Sequence, residues 1–454
     1  MKRAPRTAYV CQQCGHAAPR WLGQCPACES WGTLVEEALP DTRGPAAAPP
    51  SVQAPQALAS VTASATIRRS TGVGELDRVL GGGLVQGSIV LLGGDPGIGK
   101  STLALQACGA LAGQGLPVLY VAGEESPEQV RLRADRLGLG ASGVLIVPET
   151  TAETIVEHID RVRPSAVVVD SIQTLRTTAL ASAPGSVGQV RESASLLVAR
   201  CKATQTACFL IGHVTKEGSL AGPRVLEHLV DTVLYFEGDG AHTLRVLRAV
   251  KNRFGSTNEV GVFEMGERGL AEVTNPSAAF LAERPAGAPG SAVLATLEGS
   301  RPVLVEIQAL VARSALAMPR RTPIGLDSGR TALLLAILEK RCHVRLHDQD
   351  VFLNVAGGLR IDEPASDLAV IAAVASSARG KALPGDVVLW GEVGLTGEVR
   401  SVARADVRVR EAARQGFGRC VLPLGNARGL ATDERTTLRG VANVAELFEV
   451  LELA

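Results

Sequence analysis

The sequence predicts a mixed α/β protein with a mostly parallel central sheet, a small cysteine-rich module before it and a second α/β domain after it. Between residues 66 and 275, short apolar runs rich in β-branched residues alternate with amphipathic helical patterns. This alternation is typical of a parallel sheet covered by helices on both faces. Two Cys-x2-Cys pairs within the first 28 residues indicate the module. An alternating strand pattern at 303–307 indicates the second domain.

Composition divides the chain into four segments. Residues 1–38 hold the paired cysteines, and residues 39–65 consist almost entirely of Ala, Pro, Ser, Thr and Gln. Such a stretch cannot bury enough apolar surface to fold, so we expect a flexible linker there. Residues 66–275 form the predicted parallel-sheet domain. Residues 285–454 follow a hinge rich in Pro, Ala and Gly, and we expect them to fold independently.

Charge and hydropathy limit the classes of partner. The 46 Lys and Arg residues balance the 46 Asp and Glu residues, so contacts with nucleic acid must come from locally clustered charge. Aromatic residues make up only 3% of the chain, which disfavours a surface built on stacked bases. The sequence shows neither a secretion signal nor an apolar run long enough for a membrane span. We therefore expect a cytoplasmic protein without membrane contact.

A phosphate-binding loop follows the first of seven predicted strands, which are 88–93, 118–122, 144–147, 166–170, 209–213, 232–237 and 244–250. The residues that match the pattern G-x-x-x-x-G-K-S are Gly94, Asp95, Pro96, Gly97, Ile98, Gly99, Lys100 and Ser101. Backbone amides of such a loop wrap the phosphates, and the helix that follows adds positive potential. Lys100 would contact the β- and γ-phosphates, and the Ser101 hydroxyl would bind Mg²⁺. Thr102, next in the chain, is expected to contact the ATP as well. The sequence therefore predicts binding and hydrolysis of a nucleoside triphosphate, which we take to be ATP.

Carboxylates stand where two further strands end. Asp170 closes an apolar strand, the arrangement that holds Mg²⁺ through water beside the loop serine. Glu124 and Glu125 follow strand 118–122 and should lie at the carboxyl edge of the sheet, where ligands bind. Hydrolysis requires a group that orients water, and we favour Glu124 over the alternative, Glu125.

The two cysteine pairs have the spacing of a metal site. Cys11, Cys14, Cys25 and Cys28 can place four thiolates on one tetrahedral Zn²⁺ ion. Four protein ligands leave no open position, so the site is expected to be structural. Redox pairing is the alternative, and it is disfavoured in a cytoplasmic chain.

Two motifs resemble a known family. Residues 71–83 resemble the opening segment of a RecA-like P-loop ATPase core, and Lys251-Asn252-Arg253-Phe254-Gly255 resembles the signature of the RadA (Sms) family of bacterial DNA-repair and recombination ATPases. The resemblance covers the whole chain, including a zinc module and a C-terminal Lon-protease-like α/β domain. It implies a ring-shaped homo-oligomer, expected to be a hexamer, with ATP at subunit interfaces. In such a ring Lys251 and Arg253 would act in trans on a neighbour's γ-phosphate.

The resemblance also implies a DNA-dependent ATPase of recombinational repair. The implied activity is that of a motor, or helicase, on single-stranded DNA, which promotes branch migration of branched recombination intermediates with RecA as a partner. The loops at 174–193 and 216–228 would line the DNA channel, with Lys216 and Arg224 as the main contacts and Arg176 as a weaker one. Such contacts to phosphates predict salt-sensitive, sequence-independent binding. His213 is expected either to sense the γ-phosphate or to be structural.

The C-terminal domain resembles a Lon protease without its catalytic pair. In the segment 362–369, Ala365 occupies the position of the nucleophilic serine, and Asp406 aligns with the catalytic lysine. Ser366 is one position away, and one helical residue turns a side chain by about 100°. We therefore expect an inactive protease domain that contributes to ring assembly and DNA contact. Its basic residues would be Arg320, Arg321, Arg330, Arg341 and Arg345.

Two other functions compete with the DNA motor. The alternative is an ATP-dependent Lon-like protease, which Ala365 and Asp406 disfavour. A KaiC-like signalling ATPase with autophosphorylation is a third reading, and the cysteine module and the 251–255 motif disfavour it.

Overall fold

A computed structural model describes residues 7–11, 16–38, 67–139, 143–213, 225–238, 244–257, 259–316, 318–430 and 436–453. The chain forms two compact units. The first comprises Met1–Glu237, Leu247–Thr257 and Phe263–Glu272. The second comprises Gly238–Val246, Asn258–Val262 and Val273–Ala454. The boundaries of the four predicted segments stay a prediction.

The elements up to residue 272 form the cysteine module and the large sheet. They are β1 (Thr7–Cys11), β2 (Ala17–Ala18), β3 (Leu34–Ala38), β4 (Arg68–Arg69), α1 (Gly74–Leu80), β5 (Leu84–Val85), β6 (Ile89–Gly94), α2 (Lys100–Gly113), β7 (Val118–Ala122), α3 (Pro127–Arg136), β8 (Leu145–Val147), α4 (Ala152–Val162), β9 (Ala166–Asp170), α5 (Val187–Thr204), β10 (Ala207–His213), β11 (Thr232–Glu237), β12 (Leu244–Asn252), β13 (Val260–Gly266) and β14 (Gly269–Glu272).

The large sheet has nine strands in the order β14-β13-β12-β11-β6-β10-β9-β7-β8. The six strands from β11 to β8 are mutually parallel. Strands β6, β7 and β9 are buried along their whole length. Alternate side chains pack on α2 on one face and on α4 and α5 on the other. The predicted parallel sheet with two covered faces is therefore confirmed.

One predicted loop is shorter than expected. The segment 174–193 was predicted as a loop, but residues 187–193 begin helix α5. Ser186 caps that helix because its side chain accepts a hydrogen bond from the Gln189 backbone. The buried Gln189 amide then donates to the Leu180 and Ser182 carbonyls and fixes the remaining loop.

The cysteine module is a three-stranded sheet in the order β2-β1-β3, with antiparallel pairing. Its described hydrophobic cluster has four buried residues, Cys11, Ala18, Cys25 and Leu34. So small a core cannot stabilise the module alone, and the module depends on another stabilising element.

The elements after residue 275 all belong to the second unit. They are α6 (Pro276–Leu281), β15 (Ser291–Glu298), β16 (Arg301–Arg313), β17 (Arg321–Ile324), α7 (Ser328–Cys342), β18 (Gln349–Val355), α8 (Asp367–Arg379), β19 (Val387–Leu389), β20 (Glu392–Val393), β21 (Val399–Arg400), α9 (Ala405–Arg414), β22 (Arg419–Pro423), α10 (Leu424–Ala427), β23 (Thr437–Val441) and α11 (Val444–Val450).

A seven-stranded sheet, ordered β17-β18-β16-β15-β19-β22-β23, organises this unit. Helix α8 is buried over most of its length against it, which its run of Ala and Val allows. Among the described residues, no helix has the length and apolar character needed to cross a membrane.

Candidate nucleotide and metal sites

The phosphate-binding loop lies between β6 and α2, as predicted. Gly94, Gly97 and Gly99 have φ angles of 147°, 76° and 118°, a region that favours glycine. The Lys100 ammonium donates to the carbonyl oxygens of Gly94 at 2.9 Å and Asp95 at 2.8 Å. The loop therefore curls around its own lysine.

Burial changes the acid–base chemistry of this lysine. The Lys100 side chain lies in the protein interior, with only 3% of its surface exposed. Burial lowers the pKa of Lys100 to about 8, although the carboxylates of Asp170, Asp95 and Glu124 oppose that shift. A lysine with this pKa carries its charge at neutral pH and loses it in mild alkali.

Asp170 lies at the end of β9 on the α2 face of the sheet. Val168, two residues earlier, packs in the same cluster as α2, and side chains alternate along a strand. The Tyr120 hydroxyl donates to Asp170 Oδ2 at 2.5 Å. Burial and the Asp170 carboxylate hold the pKa of Tyr120 well above its usual value. The phenol is thus a hydrogen-bond donor across the working pH range.

Glu124 and Glu125 face different partners. Glu124 accepts a hydrogen bond from the Ser171 hydroxyl, and its Oε1 atom lies 3.4 Å from His213 Nε2. The His213 ring and the Ser171 hydroxyl hold the pKa of Glu124 below its usual value, against the effect of burial. Glu125 forms an ion pair with Arg133 of α3 instead. Of these two glutamates, Glu124 is the one whose charge acts on the pKa of Lys100.

The sheet register places these groups together. Gly94, Ala122, Asp170 and His213 end four of the parallel strands, and β10 pairs His213 with Gly94. The loop residues, Glu124 and Asp170 therefore meet at the carboxyl edge, where parallel sheets bind ligands. Thr102 follows in the first turn of α2.

The two cations of the 251–255 motif lie at the opposite edge of the sheet. Arg253 forms an ion pair with Asp231, at 3.1 Å, and Asp231 Oδ2 accepts a hydrogen bond from the Ile89 backbone. Lys251 donates to the carbonyls of Glu227 and Val230. Ile89 begins β6 and Gly94 ends it, so one strand length of about 16 Å separates the two edges.

The expected DNA contacts are described only in part. Arg176 is exposed, and its backbone donates to the Thr150 carbonyl at 2.8 Å. Lys216 and Arg224 lie outside the described residues, as does Cys14 of the metal site.

Three described cysteines converge in the N-terminal module. Their sulfur atoms lie within 4.8 Å of one another, and Cys11 Sγ is 3.6 Å from Cys28 Sγ. A tetrahedral ion with zinc–sulfur bonds near 2.3 Å separates its sulfur ligands by roughly 3.8 Å. Cys11, Cys25 and Cys28 therefore fit a zinc ion, and they would hold it as thiolates.

The residues at and next to the position of the protease nucleophile are held in the interior of their domain. Ala365 is buried, and the Ser366 hydroxyl donates to the Glu363 carbonyl at 2.8 Å. Asp406, which aligns with the catalytic lysine, is exposed and paired with Arg410 at 2.6 Å.

Two of the five arginines expected to contribute to DNA contact bind partners within their own domain. Arg330 binds the buried Asp367 carboxylate, and Arg321 donates to the Leu346 and Gln349 carbonyls. Each is held by hydrogen bonds within its own domain, and the expectation that they contribute to DNA contact stays a prediction.

Sequence reasoning missed three residues that contact the groups at the two sheet edges. The local sequence does single out Tyr120, because it is the one residue with a polar group in the apolar strand Val-Leu-Tyr-Val-Ala. Ser171 and Asp231 have no such local signal, because their importance depends on strands distant in sequence.

Family models match three parts of the chain. An AAA domain matches residues 60–219, a rubredoxin metal binding domain matches residues 9–36, and the Lon protease (S16) C-terminal proteolytic domain matches residues 337–454. The first two coincide with the phosphate-binding loop and the cysteine cluster.

Curated relatives match over nearly the full length. DNA repair protein RadA of Bacillus subtilis is 52% identical over 97% of both chains, and DNA repair protein RadA of Pseudomonas aeruginosa is 55% identical over 94% of both. A solved structure of a KaiC-like protein from Pyrococcus horikoshii is 22% identical, with a TM-score of 0.39 over 46% of this chain and 100% of that one. A likeness of that size does not discriminate between functions.

Proposed function

Since this chain belongs to the RadA family of DNA repair proteins, we propose that it uses ATP hydrolysis to move on single-stranded DNA. The motion would drive branch migration of branched recombination intermediates, with RecA as a protein partner. The observation that carries this proposal is the cluster of Lys100, Glu124 and Asp170 at the carboxyl edge of a RecA-like sheet.

The cluster supplies the groups that phosphoryl transfer to water requires. Lys100 would neutralise the β- and γ-phosphates from within the loop, and Glu124 would orient the attacking water and accept its proton. The Ser171 hydroxyl donates to the Glu124 carboxylate, and the His213 ring lies 3.4 Å from the same oxygen, so both restrict the position of that carboxylate. The ion pair of Glu125 with Arg133 supports the choice of Glu124.

Residues beside the loop fit a magnesium ion. Ser101 lies in the first turn of α2, and Asp170 ends β9 on the same face of the sheet. Oxygen ligands of this kind suit Mg²⁺; Ser101 and Asp170 would hold the ion, and it would supply positive charge that offsets the charge of the phosphates. Asp170 would act through a bound water rather than directly.

The placement of Lys251 and Arg253 supports action in trans. Both lie about one strand length from the phosphate-binding loop of their own subunit, so neither can reach the γ-phosphate there. In a ring, expected to be hexameric, that edge would face the loop of the next subunit. Arg253, whose side chain is 53% exposed, would supply the charge that stabilises the transition state.

Basic side chains would hold DNA by its phosphate backbone in the channel of the ring. Arg176 is exposed and available for such contacts, and Lys216 and Arg224 remain the other two candidates. Phosphate contacts predict affinity that falls as salt rises, with little dependence on sequence.

Steady-state ATPase assays at low salt test the proposal. Single-stranded DNA should raise turnover severalfold, and Lys100→Ala should abolish it. Equal turnover with and without DNA would contradict a DNA motor.

Strand displacement on a forked DNA tests coupling. Lys251→Ala and Arg253→Ala should lose unwinding while they retain nucleotide binding. Arg248→Ala is the matched control: Arg248 lies on β12 with Lys251 and pairs with Glu237, and the variant should unwind normally. Full unwinding by Arg253→Ala would overturn its role.

A Lon-like protease is the second candidate, because the Lon model matches residues 337–454. Ala365 and Asp406 speak against it, since they provide neither an acyl acceptor nor a base. ATP-dependent degradation of casein that survives Ser366→Ala would favour it over the DNA motor.

A further inference from the structure

Tyr120 and Asp170 form a buried pair, and the register of their two strands explains the contact. Strand β7 pairs with β9 so that Tyr120 lies beside Val168 and Ala122 beside Asp170. Tyr120 is therefore two residues short of Asp170, about 7 Å along the strand. Both side chains lie on the α2 face, and a tyrosine is long enough to bring its hydroxyl to the carboxylate.

This hydrogen bond occupies one oxygen of the carboxylate. The Tyr120 hydroxyl donates to Asp170 Oδ2 at 2.5 Å, and neither residue has more than 6% of its surface exposed. A buried carboxylate that loses such a donor must find another partner or change its rotamer. With Oδ2 engaged by the phenol, Oδ1 is the carboxylate oxygen better placed to serve a ligand beside the loop serine.

We propose that Tyr120 is a positioning residue for Mg²⁺: its hydroxyl fixes Asp170 so that one defined oxygen serves the ion beside Ser101. The inference rests on the proposed role of Asp170 in ATP hydrolysis. Tyr120 does not touch the reacting atoms, and it acts through the carboxylate. Outer partners that orient a metal-binding group contribute to metal affinity in this way.

The contact also connects the two carboxylates that one subunit would contribute to its own nucleotide site, Asp170 and Glu124. Tyr120 and Glu124 stand four residues apart on the same segment of chain, and they bind the consecutive residues Asp170 and Ser171. A change in the Asp170 rotamer would therefore shift the Glu124 carboxylate, which is proposed to orient water.

The test compares the Mg²⁺ dependence of ATP hydrolysis in Tyr120→Phe with that of the parent protein. The phenylalanine ring fills the same space, so nucleotide binding in EDTA should not change. The Mg²⁺ concentration for half-maximal turnover should rise by about tenfold. Tyr235→Phe is the control, because its hydroxyl contacts Glu227 and not Asp170, and it should leave the Mg²⁺ dependence unchanged.

A double-mutant comparison separates this inference from the function on which it rests. The measured quantity is the gain in affinity for a fluorescent ATP analogue when Mg²⁺ is added. Asp170→Asn should remove most of that gain, and adding Tyr120→Phe should then have no further effect. If Asp170→Asn keeps the gain, the proposed role of Asp170 fails. If Asp170→Asn loses it but Tyr120→Phe does not reduce it, only the role of Tyr120 fails.

A second measurement serves if Tyr120→Phe does not fold. The chain has three tyrosines, so 3-fluorotyrosine incorporation gives three fluorine resonances, and Tyr9→Phe and Tyr235→Phe assign the third by elimination. Addition of Mg²⁺ to the ATP-bound protein should shift the Tyr120 resonance more than the other two. An unmoved Tyr120 resonance would overturn the proposal.

Discussion

Arg253 is bound by Asp231 at the edge of the sheet opposite the phosphate-binding loop, and the same aspartate accepts a hydrogen bond from the first residue of the strand that ends in that loop. The Asp231 carboxylate is almost fully buried, with 4% of its side chain exposed. It therefore fixes the exposed guanidinium relative to β6. A subunit would present its cation to a neighbour from a rigid support.

Mixing two inactive variants tests action in trans. Lys100→Ala lacks a working loop and Arg253→Ala lacks the cation, so neither should hydrolyse ATP alone. In random mixed oligomers about a quarter of the interfaces would combine an intact loop with an intact cation, and turnover should recover to at most that fraction. Mixtures of Lys100→Ala with Lys100→Ala/Arg253→Ala are the control. Recovery in the control, or none in the test mixture, would argue against trans action.

The acidity of Lys100 predicts how ATP affinity depends on pH. Its pKa is lowered to about 8, so the lysine of the free protein is charged at pH 7 and mostly neutral at pH 9. Phosphates favour the charged form, and binding above pH 8 must therefore take up a proton. Affinity measured by calorimetry should be about tenfold weaker at pH 9 than at pH 7. Lys100→Gln should bind weakly with no decline in this range, and a parallel decline in that variant would assign the effect to another group.

The different partners of Glu124 and Glu125 predict different effects of the same substitution. Glu124→Gln should lower kcat by about two orders of magnitude or more, because a general base is lost, while ATP binding is retained. Glu125→Gln should leave kcat within a fewfold of the parent, since it removes only the ion pair with Arg133. Single-turnover kinetics measure both. A greater loss in Glu125→Gln would exchange the two roles.

The cysteine cluster predicts one zinc ion per chain. Cys25→Ser should reduce bound zinc, measured by metal analysis of the purified protein, because a hydroxyl is a poor zinc ligand. It should also make residues 7–38 sensitive to proteolysis, since the metal would contribute to folding. Cys342→Ser removes a thiol from α7, far from the cluster in sequence, and should keep full zinc content. Unchanged zinc in Cys25→Ser would contradict the site.

A buried ion pair in the second unit predicts a large effect on stability. Arg408 is fully buried and binds the Glu363 carboxylate and the Ala295 carbonyl. Arg408→Ala should lower the free energy of unfolding by about 3–5 kcal/mol, because the Glu363 carboxylate loses its cation and keeps only the hydrogen bonds from Thr296 and Leu297. Arg408→Met combined with Glu363→Gln should cost less. The exposed pair of Arg419 with Asp386 is the control, and Arg419→Ala should cost about 1 kcal/mol or less.

Local patterns were sufficient for much of the fold and for part of the site. The phosphate-binding loop is contiguous, so strand, glycines and helix could be read from residues 88–111 alone. Asp170 was equally accessible, because an apolar strand that ends in a carboxylate is a local signal. The preference between Glu124 and Glu125 depends on the turn into α3 and on the partner Arg133, which the pattern does not specify.

Contacts between distant segments could not be predicted. Whether Arg330 is free for DNA depends on Asp367, 37 residues later, and nothing in the local sequence indicates that pair. The same holds for Asp231, which becomes important only because β11 lies beside β6. Register and strand order decide such contacts, and a single sequence does not reveal them.

A phosphate-binding loop at one edge of the sheet and a cation at the other would give the assembly a direction. In a dimer with a twofold axis, the same surface of each subunit faces the other, so the loop at one edge could not meet the cation at the opposite edge. The contacts would therefore run head to tail. An open chain of subunits would then always end with one incomplete nucleotide site, and only closure would complete them all. The same asymmetry would give every subunit the same orientation along a DNA strand, which is a requirement for movement in a single direction.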